Sequence, residues 1–334
     1  MRIPIIYDSG AADWSAEDVR AVLDCVDATT GALERAGHRV SRVPITADLA
    51  WLDAIRGTDL VFNLCEGVGG VSRLEYNVAG AIDLLGIPYT GVSCWTMMIC
   101  HRKPVLNALL AASDLPVPEW LVPGWGRPVP STFPLPAVVK PAAEDASVGV
   151  DQGSVVTTTS QLEARVQWIT EEFGSAMVQR YIPGREVAVG FVGDVTLPLS
   201  EIDFGDMPDG AWPIVTFKAK WSPGSTDDRG TQPVCPAQME PHLRSEIVDI
   251  ATAAWRQVDG SGYGRVDLRL DSDGHPWILE VNPNPDSSPD AGLANMARAA
   301  DWTYDELVLR IVDAAGRAST TPLTTVAVQE PPAA

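Results

Sequence analysis

The chain has 334 residues, 46% hydrophobic and 20% charged, so it is not disordered throughout, and its length suggests two or three domains. Acidic residues number 44 against 24 Lys and Arg, a formal charge of −20, which excludes nucleic-acid and anionic-membrane surfaces because both need clustered cations. No apolar run reaches the roughly 18 residues of a membrane span; the stretch Met1–Asp8 is too short for a signal peptide, and five cysteines without a C-x-x-C pair read as reduced thiols, so a cytoplasmic location is expected.

Ile3 to Tyr7 reads as a strand. Ser15 to Ala36 reads as a helix, with Ser15 as N-cap, Asp18 at the third position and Gly37 as stop. Arg39 to Ile45 is a second strand, Leu49 to Arg56 a short helix, Asp59 to Leu64 a third strand, and Arg73 to Leu85 a helix ended by Gly86. This βαβα order implies a parallel sheet covered by helices, whose ligands sit beyond the carboxyl ends of the strands. Asp8 and the run Cys65 to Gly70 lie at those ends. A helix over Lys103 to Ala112 leads into a proline-rich connection. Strands then follow over Ala137 to Lys140, Gly153 to Thr157, Ala176 to Tyr181 and Glu186 to Val192, interrupted by a helix over Gln161 to Phe173. Residues 203–240 read as a long functional loop. A helix over 241–258, two strands, and helices near 291–300 and 303–316 complete the pattern, and the Thr-, Pro- and Ala-rich tail 319–334 reads as disordered.

The two late strands are the most informative. Gly262 to Leu270 and Trp277 to Asn282 flank an Asp-Gly turn signal and form a hairpin. Period-two alternation places Val266, Leu268, Leu270, Trp277, Leu279 and Val281 on one face, and Arg265, Asp267, Arg269, Glu280 and Asn282 on the other. Asp267 and Glu280 then meet, and opposed carboxylates repel unless a cation lies between them. Two readings fit: a Mg²⁺ held by the oxygens of Asp267, Glu280 and Asn282, or a solvated face neutralised by Arg265.

Only four residues are lysine, namely Lys103, Lys140, Lys218 and Lys220. A compact ammonium suits a phosphate differently from a guanidinium fork. Lys140 ends a strand that runs into a small-residue loop containing Ser147 and Gly149. Such a loop can close its N–H groups over phosphates, or be a plain connection. No P-loop signature is present.

Together these segments resemble the ATP-grasp superfamily, and within it the D-alanine–D-alanine ligase-like branch, over residues 1–316. Leu85 to Gly91, His101-Arg102-Lys103, Val138 to Pro141 with Ser147 to Gly149, Val178 to Ile182 with Gly184 to Glu186, Lys218 to Trp221, Gly264 to Asp267 and Leu279 to Asn282 carry the likeness. The resemblance implies an α/β fold, α+β in its ATP-grasp part. A parallel-sheet, Rossmann-like domain (1–94) precedes a central lid subdomain (95–184) and a C-terminal subdomain with the metal site (185–318). It implies ATP and Mg²⁺, with Mn²⁺ as the alternative ion. It assigns α- and β-phosphate to Lys103, Lys140, Ser147 and Gly149, the adenine hinge to Gln179, Tyr181 and Ile182, the ribose to Glu186, and the γ-phosphate to Lys220. Arg265 steadies the transferring phosphoryl group, and Asp267, Glu280 and Asn282 hold the metal.

The implied activity joins a carboxylate to an amine through an acyl phosphate, releasing ADP and phosphate. A peptide bond between amino acids is the main expectation. A dedicated cell-wall D-alanine–D-alanine ligase is the alternative, and a non-catalytic ATP-binding module a third reading. The expected partners are small amino acids, not nucleic acid or membrane, with a homodimer as the assembly to look for. The chain departs from typical family members at Cys65 to Glu75 and at Pro283 to Pro289, both on the substrate side. There Asp8, Glu66 and Glu75 are candidates for an ammonium and Arg73 for a carboxylate, or Arg73 and Glu75 line a solvated helix start. Asp286 and Ser288 are the candidates for the second substrate.

Overall fold

A computed structural model describes residues 1–10, 14–124 and 132–318, so the expectation for the tail lies outside the described residues. β1 (Arg2–Asp8) pairs in parallel with β2 (Arg39–Ile45) and with β3 (Phe62–Asn63). β3 is shorter than its sequence pattern because Val61 bonds instead to the chain at Pro88 and Thr90. α1 (Ala16–Arg35) starts with the expected box: Ser15 Oγ accepts from the Asp18 N–H at 3.1 Å, and the Asp18 carboxylate accepts from the Ser15 N–H at 2.9 Å. α2 (Trp51–Ile55) is brief. α3 (Glu75–Leu85) follows a 3-10 turn at Ser72–Leu74 and stops at Gly86, whose φ of 64° belongs to the left-handed region.

α4 (Cys94–His101) was not expected from the sequence. Its residues are apolar nearly all round, so no periodic stripe marks it, although Ser93 caps it by accepting from the Thr96 N–H. α5 (Lys103–Ala111) follows at once, with Pro104 in its first turn.

A second sheet is antiparallel, in the order β4 (Trp120–Leu121), β7 (Ala176–Arg180), β5 (Ala137–Pro141), β6 (Val155–Val156). α6 (Thr159–Phe173) covers it, packing Leu162 and Ile169 onto Ala137, Val139 and Val178. The third sheet is antiparallel with six strands: β8 (Glu186–Val192), β9 (Val195–Thr196), β10 (Ser200–Asp203), β11 (Gln232–Val234), β12 (Tyr263–Leu270) and β13 (Pro276–Asn282). Much of the expected loop over 203–240 is therefore ordered: β11 pairs with β10, and two short helices, α7 (Phe217–Trp221) and α8 (Thr226–Arg229), lie between them.

α9 (Pro241–Gln257) covers one face of the third sheet with Ile247, Ala251, Ala254 and Trp255, and Trp255 stacks on Phe191 at 5.4 Å. α10 (Gly292–Ala299) and α11 (Tyr304–Ala318) bring Leu293, Met296, Leu307 and Ile311 into one core with Ile3, Ile5, Val26 and Leu33 from the start of the chain. No helix among the described residues is long and apolar enough to cross a membrane.

The β12–β13 hairpin forms with Asp267 opposite Glu280 and Arg265 opposite Asn282, as the alternation requires. One part of the expected pattern is corrected. A bulge follows Asp267, so Leu268 pairs with Ile278 and Leu279 drops out of the ladder. Ile278, not Leu279, is buried in the core, and Trp277 pairs with Arg269 while its indole N–H donates to Asp271 at 2.9 Å.

Candidate active site

The polar face of β12 and β13 gathers the expected donors. The Arg265 guanidinium grips Asp267 with two hydrogen bonds, 2.6 and 2.8 Å. The neighbouring strand β8 sets only Ala188 and Gly190 opposite Asp267 and Arg265, so it supplies no bulk to compete for that space. Glu280 sits among cations, with Lys103 Nζ 4.0 Å from its Oε1. Burial pushes its carboxyl up, but Lys103, Lys220, Lys140 and Arg265 outweigh that and hold it down at about 2. The expected carboxylate repulsion is thus already compensated: Asp267 by Arg265, Glu280 by the lysines. Lys140 is pulled down to about 8, chiefly by burial and then by Lys103, against Glu280 and Glu186. Burial works against the charge of Arg265, but Asp267, Glu280 and Glu186 raise its pKa overall.

The nucleotide candidates surround this face. Glu186 lies opposite Arg269 in the ladder and accepts from its Nη2 at 2.9 Å through Oε2. Arg269 also donates to the Ile182 carbonyl at 2.9 Å and to the Pro213 carbonyl, and lies over the Tyr181 ring at 5.1 Å. One buried guanidinium therefore fixes Tyr181, Ile182 and Glu186 together. The sequence placed Arg269 on the right face, but its partner lies on β8, a long-range pairing that alternation alone does not reveal. Gln179 is buried and its Nε2 has no hydrogen-bond partner, a donor left open beside this cluster.

The 142–150 loop is folded onto the turn that carries Lys220. Ser147 has φ 61° and donates Oγ–H to the Val215 carbonyl at 3.0 Å; the Phe217 N–H donates to the Val150 carbonyl at 2.9 Å; and the Trp221 indole donates to the Ala146 carbonyl at 3.2 Å. Gly149 has φ +71°, and a Cβ there would lie 2.7 Å from Pro141 Cγ and 2.9 Å from Phe173 Cε2, so only glycine fits. Lys103 is buried and gives its ammonium to the Glu144 carbonyl. Lys220 is exposed, on α7.

On the substrate side the candidates separate. The buried Asp8 accepts from the N–H groups of Gly10 (3.0 Å), Gly69 (3.1 Å) and Gly70 (2.9 Å), so it pins the glycine loop and its oxygens are committed. Glu75 is also buried and committed. One oxygen lies 2.7 Å from His101 Nε2, and the other accepts from Asn284 Nδ2 at 2.7 Å. Asn284 further donates to the Cys65 carbonyl (3.2 Å) and accepts from the Tyr263 hydroxyl (2.7 Å). His101, Asn284 and Tyr263 were not singled out by sequence, because each gains its meaning only from residues distant in the chain.

Glu66, Arg73 and Asp286 are exposed, and Ser288 is half-buried. Glu66 is open to solvent at its surface. Even so, the surrounding atoms, then the charges of Asp286, Glu75 and Asp145, push its carboxyl up to about 8 against the pull of Lys220. Asp286 accepts from the Ser288 N–H at 2.8 Å.

Comparisons with known proteins give the family and the fold. Residues 119–313 match the family described as D-ala D-ala ligase C-terminus. The chain is 32% identical over 266 residues to an uncharacterised protein of Sinorhizobium fredii, covering 78% of this chain and 76% of that one. It is 30% identical over 303 residues to a D-alanine–D-alanine ligase of Synechococcus, covering 87% and 88%. Its fold matches the crystal structure of D-alanine–D-alanine ligase from Bacillus anthracis complexed with ATP at a TM-score of 0.77 and 20% identity, covering 96% and 98%. The chain belongs to the D-alanine–D-alanine ligase family of ATP-grasp proteins and is an ATP-dependent carboxylate–amine ligase, forming C–N bonds.

Proposed function

We propose that this ligase joins two amino acids through an acyl phosphate, releasing ADP and phosphate. The observation that carries this is Glu280, a carboxylate set opposite Asp267 and ringed by Lys103, Lys140, Lys220 and Arg265. The donor set fits the chemistry of Mg²⁺, since Asp267, Glu280 and Asn282 set hard oxygen donors on facing strands, and Arg265, which grips Asp267, would share that carboxylate with the ion. When bound, such an ion neutralises charge on the phosphates.

In this reading Lys103 and Lys140 hold α- and β-phosphate oxygens, and Lys220 meets the γ-phosphate. The adenine lies against Gln179, Tyr181 and Ile182, with the ribose at Glu186. The loop with Ser147 and Gly149 covers the phosphates. A substrate carboxylate oxygen takes the γ-phosphoryl group from ATP, and Arg265 stabilises the charge that spreads over it. The amine of the second amino acid attacks the carbonyl carbon, loses a proton, and the phosphate leaves as the amide forms. Positioning and charge carry the rate, so no nucleophilic side chain is needed.

The commitments of Asp8 and Glu75 leave Glu66 and Asp286 as partners for a substrate ammonium, Arg73 for a carboxylate and Ser288 as a nearby hydroxyl. We place the reaction in the cytoplasm, where ATP and free amino acids meet. Relatives named D-alanine–D-alanine ligase make a pair of D-alanines the first combination to try. The test is phosphate release over pairs of D- and L-amino acids, with product masses measured. An amide product with ADP supports the reading; AMP and pyrophosphate as the stoichiometric products overturn it.

A further inference from the structure

Four segments of the chain converge on one buried imidazole. His101 ends α4, and its side chain keeps only 3% of its exposure. Its Nε2 lies 2.7 Å from Glu75 Oε2 and 3.5 Å from Asp145 Oδ2. Asp145 belongs to the 142–150 loop. Its neighbour Glu144 is held to the same region twice, by the Ser72 hydroxyl at 3.0 Å and by Lys103 at its carbonyl. Glu75 continues through Asn284 to Asn282, whose Oδ1 accepts the Asn284 N–H at 3.0 Å. The histidine therefore stands between the loop that covers the phosphates and the strand end that carries a metal-ligand candidate.

We propose that His101 is a positioning residue, which latches the 142–150 loop shut through Asp145 while it is anchored on Glu75. The proposal rests on the nucleotide role given to that loop above. The charged groups facing the ring are Glu75 from α3, Asp145 from the loop and Lys103 from α5, and the Tyr76 ring meets it edge-on at 6.1 Å. Burial pushes the imidazole toward its neutral form. The bond and charge of Glu75, with the charge of Asp145, outweigh that and the opposing Lys103, so the ring is protonated more readily than a free histidine. A raised histidine keeps its charge below its titration and loses it as pH rises through it. The latch is thus strong on the acid side and slackens on the alkaline side. Nδ1 is buried without a hydrogen-bond partner, so the ring is fixed from the Nε2 side.

The test measures ADP affinity in the presence of Mg²⁺ by tryptophan fluorescence on the full chain, from about pH 7 to about pH 9. It compares wild type, His101→Gln and Asp145→Asn. Gln keeps an N–H for Glu75 but brings no charge to Asp145. Both variants are expected to bind ADP about tenfold more weakly at the acid end. In turnover with an accepted pair of substrates, the KM for ATP should rise with a smaller change in kcat. Lys140 and Glu66, each at about 8, change charge over the same range, so the latch is read as the difference: the wild-type affinity falls more steeply with pH than that of His101→Gln.

A purely structural histidine would lower the melting temperature without changing that slope. Wild-type affinity in both variants, or identical slopes, overturns the proposal. Should His101→Gln not fold, Asp145→Asn carries the test, because its side chain is 34% exposed and the buried Glu75–His101 pair stays intact. Failure of every amino-acid pair to turn over would sink the proposed reaction but leave the ADP measurement able to judge the latch.

Discussion

Glu280 is ionised by its surroundings before any metal arrives, so its replacement tests charge more than shape. Glu280→Gln should lower kcat by about 10²–10³ or more, seen as phosphate release, because the cluster loses the anion that its cations and a divalent ion share. The same substitution should cost stability at pH 7. A carboxyl depressed to about 2 stabilises the fold above its unfolded value near 4.5, and that contribution fades as pH falls toward 2. The melting temperatures of the two proteins should therefore converge in acid. Glu66 carries the opposite sign. Its carboxyl is raised to about 8, so ionising it between roughly pH 4.5 and 8 works against the fold. Glu66→Gln should melt above wild type at pH 9 and level with it near pH 4. Because its surface is open to water, the gain is expected to be modest.

Elements that carry their own signals were readable from the residues. The Ser15–Asp18 box is one, and Ser15→Ala should cost about 1 kcal/mol in urea unfolding with an unchanged m-value. The β12–β13 register was readable too, because a slip would bury Arg265 and Asp267 in the core. The bulge at Leu279 was not, since alternation has no mark for a skipped residue, and Ile278 and Leu279 are equally apolar. α4 leaves no mark in the sequence because it is apolar nearly all round: its exposed face carries Trp95, so no polar stripe sets it off. The scarcity of lysine drew attention to four residues, and the family resemblance picked out Lys103, Lys140 and Lys220, which all act electrostatically on Glu280. The engagement of Asp8 with three backbone N–H groups, and of Glu75 with His101 and Asn284, depended on loop geometry and on partners up to 209 residues apart.

A formal charge of −20 sets the behaviour of the whole molecule. Four cations act on Glu280, but over the whole chain acidic residues outnumber basic ones 44 to 24, so the folded chain repels itself at long range. Adding monovalent salt from a few millimolar to about 0.15 M should raise the melting temperature at pH 8, because the Debye length shortens to about 8 Å. No rise would mean that local pairs such as Arg35–Asp305, with bonds of 2.6 Å, already compensate the charge.

The shared core of α1, α10 and α11 has a consequence for anyone who would recombine this enzyme. Ile3, Ile5, Val26 and Leu33 complete their burial only against Leu307, Ile311 and their neighbours from the far end of the described chain. The natural unit of exchange is therefore discontinuous. A chimera that imports a new amino-terminal segment must import α10 and α11 with it, whereas the central sheet of β4 to β7 with α6 has a hydrophobic cluster of its own and meets the rest where Val138 and Val155 pack on Trp212 and Ile214, so that seam must travel with a graft.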